Sequence, residues 1–414
     1  MIKVLERSLK MTRKHQSSIR HHVRDFKRQK DIINTLKNRF MTYGYEQIEI
    51  PTYESYDLYT SIQGTVHRHD MVKTIDHSGE VLVLRPDATI PLMLKMVNEK
   101  EHPIESRYFY TLNVFRHSFG SGHDKERMQA GVEYFGNNSV ETDAEMIALA
   151  IHSLKDLAFD DFKIELGHAG FFKELIDPLI LTPTQLNELK GLIQTKNIIE
   201  INPFLNKLDV HSSLKQAIQT IPLLYGHPRE VLKRAMDIAY SKQMKNKIKR
   251  LHNIYDLLKA YGFEKYVVID LGLINHMDYY SGIIFQGFAN SIGKPVLMGG
   301  RYDQLAKQFQ ASIPAIGFAT DINVLLSGLP KREEDDQQID IILTYTNEYC
   351  YQALTLASTL REKNYRVLTS PLDCDRYKKQ ADTTIHVMGD SWQLIKNNKS
   401  YNIQSIDDIT KILT

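Results

Sequence analysis

The sequence predicts an α+β protein: strands of alternating polarity flanked by amphipathic helices, a helical insertion, and a small α/β domain at the C-terminal end. Three observations predict it. Residues 107–117 and 129–136 each alternate with period two on either side of a turn-rich stretch, 118–126. From about 171 to 261 the pattern is helical throughout. Residues 331–338, Lys-Arg-Glu-Glu-Asp-Asp-Gln-Gln, lack any apolar period, so the chain divides there.

Composition narrows the function without choosing it. The 414 residues suffice for two or three domains, and 42% apolar with 25% charged residues is ordinary for a globular protein. A net charge of +2 gives no push toward nucleic acid or membrane. Cys350 and Cys374 are too few for a disulfide framework or a cysteine-rich zinc site, and they fit a reducing cytosol. No apolar run approaches the roughly 18 residues that span a bilayer. The first residues lack an apolar core followed by a cleavage site, so no signal peptide is read. The first 30 residues hold ten Lys/Arg against two Asp/Glu. They read as a solvated start, with an arm touching RNA or an acidic partner as the alternative.

In order, residues 25–43 predict a helix with Phe26, Ile32, Ile33, Leu36 and Phe40 near one face and Gly44 as its stop. Ile48-Glu-Ile-Pro51 reads as a short strand. Val81–Leu84 is a strand leading through Arg85-Pro-Asp-Ala-Thr89 into a helix from about Ile90 to Val97. Thr89 is placed to cap that helix; alternatively, Asp87 and Thr89 face a pocket and accept a ligand ammonium. On the strand at 129–136, Gln129, Gly131 and Glu133 share one face and Ala130, Val132 and Tyr134 the other. Whether Arg116 joins the first face depends on the hairpin register. Residues 141–157 predict a helix and 161–166 a strand. His168, at the turn after that strand, reads as a structural hydrogen-bonder.

In the insertion, Thr182-Pro-Thr-Gln185 reads as a capping box. After it, Val267–Ile269 and Ile283–Phe285 are apolar runs around a crowded polar turn with Asn275, His276, Asp278, Tyr279 and Tyr280. Gly299 and Gly300, before Arg301, allow close backbone approach and are a weak signal for phosphate binding. Residues 314–326 predict a strand and a buried helix. In the tail, 339–345, 366–369 and 384–388 read as strands and 348–362 as a helix.

Four segments, in this order, resemble the histidyl-tRNA synthetases: Arg85–Thr89; Phe115-Arg116 with Gln129 and Glu133; Met277-Asp-Tyr-Tyr280; and Gly299-Gly-Arg-Tyr-Asp303. Residues 25–51 and 314–326 resemble the first and third motifs of the same class II aminoacyl-tRNA synthetases. The resemblance implies a class II antiparallel sheet flanked by helices, with a histidine-like pocket of Asp87, Thr89, Arg116, Gln129, Glu133, Tyr279 and Tyr280. It also breaks in three places. Asn275 and His276 stand where that family carries arginine and glycine. Val324 stands at an ATP-binding arginine, and Ser118 at a glutamate. Adenylate formation needs cations on the α-phosphate, so these losses argue against it.

The combination resembles the regulatory subunits of ATP phosphoribosyltransferase, whose versions of these segments Asn275-His-Met277 and 164–170 look like. That resemblance implies a non-catalytic homodimer that joins a short-form ATP phosphoribosyltransferase catalytic subunit in a hetero-octamer and takes part in histidine feedback. It implies no cofactor, no metal and no tRNA partner, and a cytoplasmic location. An active histidyl-tRNA synthetase, or a tRNA-binding or histidine-sensing module, are the alternatives. The expected organisation is a basic extension (1–20), a class II core (21–330, insertion about 171–261), a linker (331–338) and an α/β domain (339–414) resembling a truncated anticodon-binding domain.

Overall fold

A computed structural model describes residues 23–413 apart from 63–65, 100–104, 118–124, 209, 275–278, 290–291, 331–338, 373–380, 390 and 398. The basic extension, the linker, Cys374 and the positions Ser118, Asn275, His276, Met277 and Asp278 lie outside the described residues. The chain divides into two compact units, Met1–Leu329 and Pro330–Thr414.

The first unit opens on helix α1 (23–42), which buries Ile32, Ile33, Leu36 and Phe40 and ends at Gly44 with φ 78°. Phe26, expected on the same face, is exposed because the core begins only at Ile32; the Lys30 ammonium lies 5.5 Å from its ring. The strand expected at 48–51 is displaced to β1 (Glu46–Gln47). Pairing ends once the Ile48 N–H donates to the Phe109 carbonyl (2.9 Å), and the Ile50 carbonyl accepts from Arg85 Nη1 (2.6 Å) instead of a strand.

There follow β2 (Tyr53–Ser55), α2 (Tyr56–Ser61), β3 (Lys73–Ile75), β4 (Val81–Leu84), α3 (Thr89–Asn98), the hairpin β5 (Ser106–Phe115) and β6 (Glu126–Phe135), α4 (Val140–Asp156) and β7 (Phe162–His168). β2 and β3 were not expected; three residues are too few to show alternation, and they flank β4 in a small sheet. The insertion holds α5 (Ala169–Ile176), α6 (Pro183–Gln194), α7 (Ile198–Asn206), α8 (Ser212–Thr220), β8 (Tyr225–Gly226), α9 (Pro228–Ile238) and α10 (Lys242–Ala260). Thr182 and Gln185 form the expected capping box. The insertion is not helical throughout: β8 pairs with β9 (Val267–Asp270) and so joins the main sheet. Then come β10 (Ile283–Ala289), β11 (Leu297–Arg301), α11 (Asp303–Gln308), β12 (Ala315–Asp321) and α12 (Ile322–Gly328).

The main sheet has the order β1-β5-β6-β12-β11-β10-β7-β9-β8, antiparallel except for β1 with β5 and β7 with β9. β7 lies between β9 and β10, so the two apolar runs around the tyrosine turn are not neighbours. One face of the sheet packs on α1, α4 and the insertion, and receives Ala130, Val132 and Tyr134 as the alternation predicts. The other face packs on α3 and α11, and receives Tyr110, Leu112, Val114 and Phe135.

His168 Nδ1 accepts the Gly170 N–H (3.2 Å) and caps α5, the structural role expected. Burial holds its ring neutral, with a pKa near 3, and the Lys247 and Arg250 charges add to the effect. The folded pKa lies below the unfolded value, so this neutral ring costs nothing above about pH 6.5 and destabilises the fold as pH falls toward 3. His168→Asn keeps an acceptor and cannot charge. Unfolding by urea should therefore show a smaller loss of stability between about pH 7 and pH 4 in the variant than in the wild type. Equal losses would mean that His168 does not carry the acid limb.

The second unit is the expected small α/β domain. β13 (Ile341–Tyr345), α13 (Cys350–Glu362), β14 (Val367–Pro371), β15 (Thr383–Val387), β16 (Trp392–Lys396), β17 (Lys399–Ile403) and α14 (Ile406–Leu413) build a sheet ordered β14-β13-β15-β16-β17. Ala353, Leu356, Ala357 and Leu360 of α13 face its core, as their spacing predicts. β16, β17 and α14 were not expected. β17 is exposed at every residue but Ile403, so no buried stripe marks it.

Candidate functional site

A cavity of about 310 Å³ opens on the α3 side of the main sheet, within the size range of small-ligand sites. Asp87, Thr89, Arg116, Gln129, Glu133, Tyr279 and Tyr280 all line it. The hairpin register explains why. Tyr110 pairs with Gly131 and Leu112 with Gln129, so Arg127, Gln129, Gly131 and Glu133 share a face with Tyr110, Leu112 and Val114. Arg116 continues that alternation just past β5, where it bridges to Met71 and its Nε donates to the Pro86 carbonyl (2.8 Å). The direction of Arg116, open in the sequence, is thus set toward the cavity.

Glu133 is the buried centre of the site. Its Oε1 accepts the Thr89 hydroxyl (2.8 Å), and its Oε2 accepts the Tyr302 hydroxyl. Across the sheet Glu133 faces Gly317, which faces Gly300. A Cβ at Gly317 would collide with the Glu133 carboxylate, and one at Gly300 would lie 2.8 Å from the Tyr280 ring. The glycine pair at 299–300 therefore sits within a strand and makes room for side chains, not for a phosphate. Arg301 beside it is buried: its Nε donates to Asp143 Oδ1 (2.8 Å), and its Nη1 to the Asn137 carbonyl (3.0 Å).

Thr89 is not the helix cap that its hydroxyl allowed. α3 begins after Ala88, and Asp87 Oδ1 accepts the Ile90 N–H (3.0 Å) in its place. That leaves the Thr89 hydroxyl for Glu133, with oxygen lone pairs still available to a ligand. Burial raises the pKa of Asp87, partly offset by the Ile90 N–H and the Arg116 charge. Burial also pushes Glu133 up to about 7, against the lowering effect of its two hydroxyl partners. Tyr110, Tyr279, Tyr280 and Tyr302 are held protonated by burial, so they present O–H donors.

At the cavity's other end Val324 is apolar and nearly buried. Arg127 Nη1 donates to Asp321 Oδ2 (3.1 Å), and Asp321 also accepts the Val324 N–H (3.2 Å). Exposed Lys294 lines the cavity as well. Tyr110, Arg127, Lys294 and Tyr302 were not picked out as site residues. Tyr302 had a signal, in Gly-Gly-Arg-Tyr-Asp; Tyr110 and Arg127 needed the hairpin register; Lys294 had none.

Two carboxylates, tyrosine hydroxyls and an arginine around one small cavity can hold a zwitterion with a polar side chain. The sheet order, the hairpin and the pocket define a class II aminoacyl-tRNA synthetase fold of the histidyl type, and the histidyl-tRNA synthetase family model matches residues 22–325. A histidyl-tRNA synthetase from Nostoc has the same fold, with a TM-score of 0.72 at 17% identity over 93% of this chain and 94% of that one. A Bacillus halodurans structure described as an ATP phosphoribosyltransferase regulatory subunit/histidyl-tRNA synthetase has a TM-score of 0.76 at 28% identity, covering 88% of this chain and 95% of that one. An Oceanobacillus iheyensis protein named ATP phosphoribosyltransferase regulatory subunit is 46% identical over 92% of this chain and 94% of its own length. One of that name from Ruminiclostridium cellulolyticum is 32% identical over 86% of each. The chain belongs to the family of ATP phosphoribosyltransferase regulatory subunits.

Proposed function

We propose that this chain is the non-catalytic regulatory subunit of an ATP phosphoribosyltransferase, the first enzyme of histidine biosynthesis, and that its cavity takes histidine. The observation that carries the reading is the lopsided cavity. Every position matched to histidine recognition lines it, while an apolar Val324 stands at the end matched to ATP. The relatives named ATP phosphoribosyltransferase regulatory subunit support the partner. On this reading Ser118, Asn275 and Val324 mark lost adenylation chemistry. The chain works in the cytoplasm as a homodimer within a hetero-octamer with the short-form catalytic subunit. Among the described residues no helix is long and apolar enough to cross a membrane.

Regulation then needs no chemistry in this chain. Docking holds the catalytic subunit in an active arrangement, and histidine shifts the balance to the extent that it binds the two arrangements differently. The test is formation of phosphoribosyl-ATP from ATP and phosphoribosyl pyrophosphate by the short-form subunit, with and without this chain. Activation of at least about tenfold is expected, a change of about 1.4 kcal/mol in barrier. No activation, together with histidine-dependent ATP–pyrophosphate exchange by this chain alone, would overturn the reading in favour of a synthetase.

A further inference from the structure

Residues 228–260 hold nine Lys/Arg against three Asp/Glu, a net charge of +6 in a chain whose total is +2. They form α9 and α10. Both helices bury one face: Val231, Leu232 and Ala235 of α9, and Met244, Ile248, Leu251, Ile254 and Leu258 of α10. Two of the cations serve the fold, Lys247 paired with Glu174 (2.6 Å) and Arg250 paired with Asp143 (2.6 Å). Arg229, Lys233, Lys242, Lys245 and Lys249 are exposed and have no carboxylate partner among the described residues.

Their placement opposes the stability of the helix that carries them. Lys242, Lys245 and Lys249 recur at i, i+3 and i+7, so their like charges share one face of α10. Lys242 and Lys245 also stand at the helix N-terminus, the positive end of its dipole, and no acidic residue lies in that first turn. An anionic surface laid on this face would relieve both effects.

A groove between the two helices narrows the kind of partner. Leu232, Met236 and Ile248 form an apolar floor, lined also by Arg229, Lys233, Lys249 and Asp237, and by His252, whose Nδ1 lies 3.1 Å from Asp256 Oδ2. A phosphate backbone would meet the cations but has nothing to bury on that floor. A protein segment that carries acidic side chains around an apolar one matches both features.

We infer that the α9–α10 face is the docking surface for an acidic face of the phosphoribosyltransferase subunit. The inference rests on the proposed function and adds to it the surface used and the charge of the partner. The test uses the full chain and compares the wild type with K242E/K245E/K249E and with K242R/K245R/K249R. The short-form subunit is titrated with each at low and at raised ionic strength, and phosphoribosyl-ATP formation is read. The glutamate variant should fold at least as well as the wild type, since it lowers the excess positive charge of the two helices and places acids near the helix N-terminus. Its apparent affinity for the subunit should fall by about tenfold or more, the arginine variant should keep wild-type affinity, and added salt should weaken the wild type most.

Equal affinity and equal salt response of the wild type and the folded glutamate variant would overturn the docking surface and leave the regulatory function standing. Loss of RNA binding by the glutamate variant with activation unchanged would assign the face to RNA and overturn it too. No activation by the wild type would remove the proposed function, and this inference with it.

Discussion

Glu133→Ala is expected to lower the affinity for histidine by about 100-fold, read by calorimetry, because a buried carboxylate that meets a charged or N–H group of the ligand contributes more than a neutral contact does. Unchanged affinity would remove the histidine pocket. The isosteric Glu133→Gln tests the electrostatics separately. Burial puts the folded pKa of Glu133 near 7, above the unfolded value. Between those two values the folded chain holds a proton that the unfolded chain has released. The stabilisation from that proton is complete below about pH 4.5 and is lost as pH rises through about 7, on the order of 3 kcal/mol in all. Glutamine cannot titrate, so from about pH 5 to pH 8 the empty wild type should lose more stability than Glu133→Gln in urea unfolding. Parallel pH profiles would show that Glu133 is charged throughout. A ligand that needs the carboxylate form must also expel this proton. Histidine binding near pH 6 should then show a heat that changes with the ionisation enthalpy of the buffer in the wild type, and less so in the glutamine variant.

Arg301→Met should lower stability by about 3–5 kcal/mol and leave the histidine affinity of the folded fraction close to wild type. Asp143 is fully buried between two guanidinium groups. Arg301 Nη2 lies 2.7 Å from one of its oxygens, and Arg250 Nε donates to the other (2.7 Å). Removing Arg301 leaves half of that buried carboxylate uncompensated, and its lost bonds to the Asn137 carbonyl and Asp303 add to the effect. Thermal unfolding reads the loss. A variant with an unchanged midpoint and impaired activation of the transferase would make Arg301 a functional cation, the reading that the adjacent glycines first invited.

The site was legible in its residue types, and the geometry was not. Spacing marked Asp87, Thr89, Gln129 and Glu133 only as members of a strand-to-helix junction and of one face of an alternating strand, and the resemblance to histidyl-tRNA synthetases joined them into one pocket. Tyr302 did not stand out as a partner of Glu133, although the two hydroxyl and carboxyl groups touch, because 169 residues separate them. Thr89 and Asp87 exchanged roles for a similar reason. Both can cap a helix, and only the position of Glu133 draws the threonine hydroxyl away. The displaced first strand shows the same limit. Ile48 and Ile50 have the character of strand residues, but Arg85, from the next segment, takes the Ile50 carbonyl.

By itself the sequence determined the periodic features: the α1 stripe from Ile32 to Phe40, the alternation of Gln129 to Tyr134, the capping box at Thr182, and the inward face of α13. These follow from backbone geometry within one element, so nearby residues suffice to specify them. Only the tertiary structure decided which strands are neighbours, that β7 separates the runs around the tyrosine turn, and that Gly317 and Gly300 stand in one row with Glu133. Strand pairing joins residues far apart in the chain, and a shift of one residue would turn every side chain to the other face. The cavity exists because one register places a carboxylate beside two glycines, and that choice is made by the packing of the whole sheet.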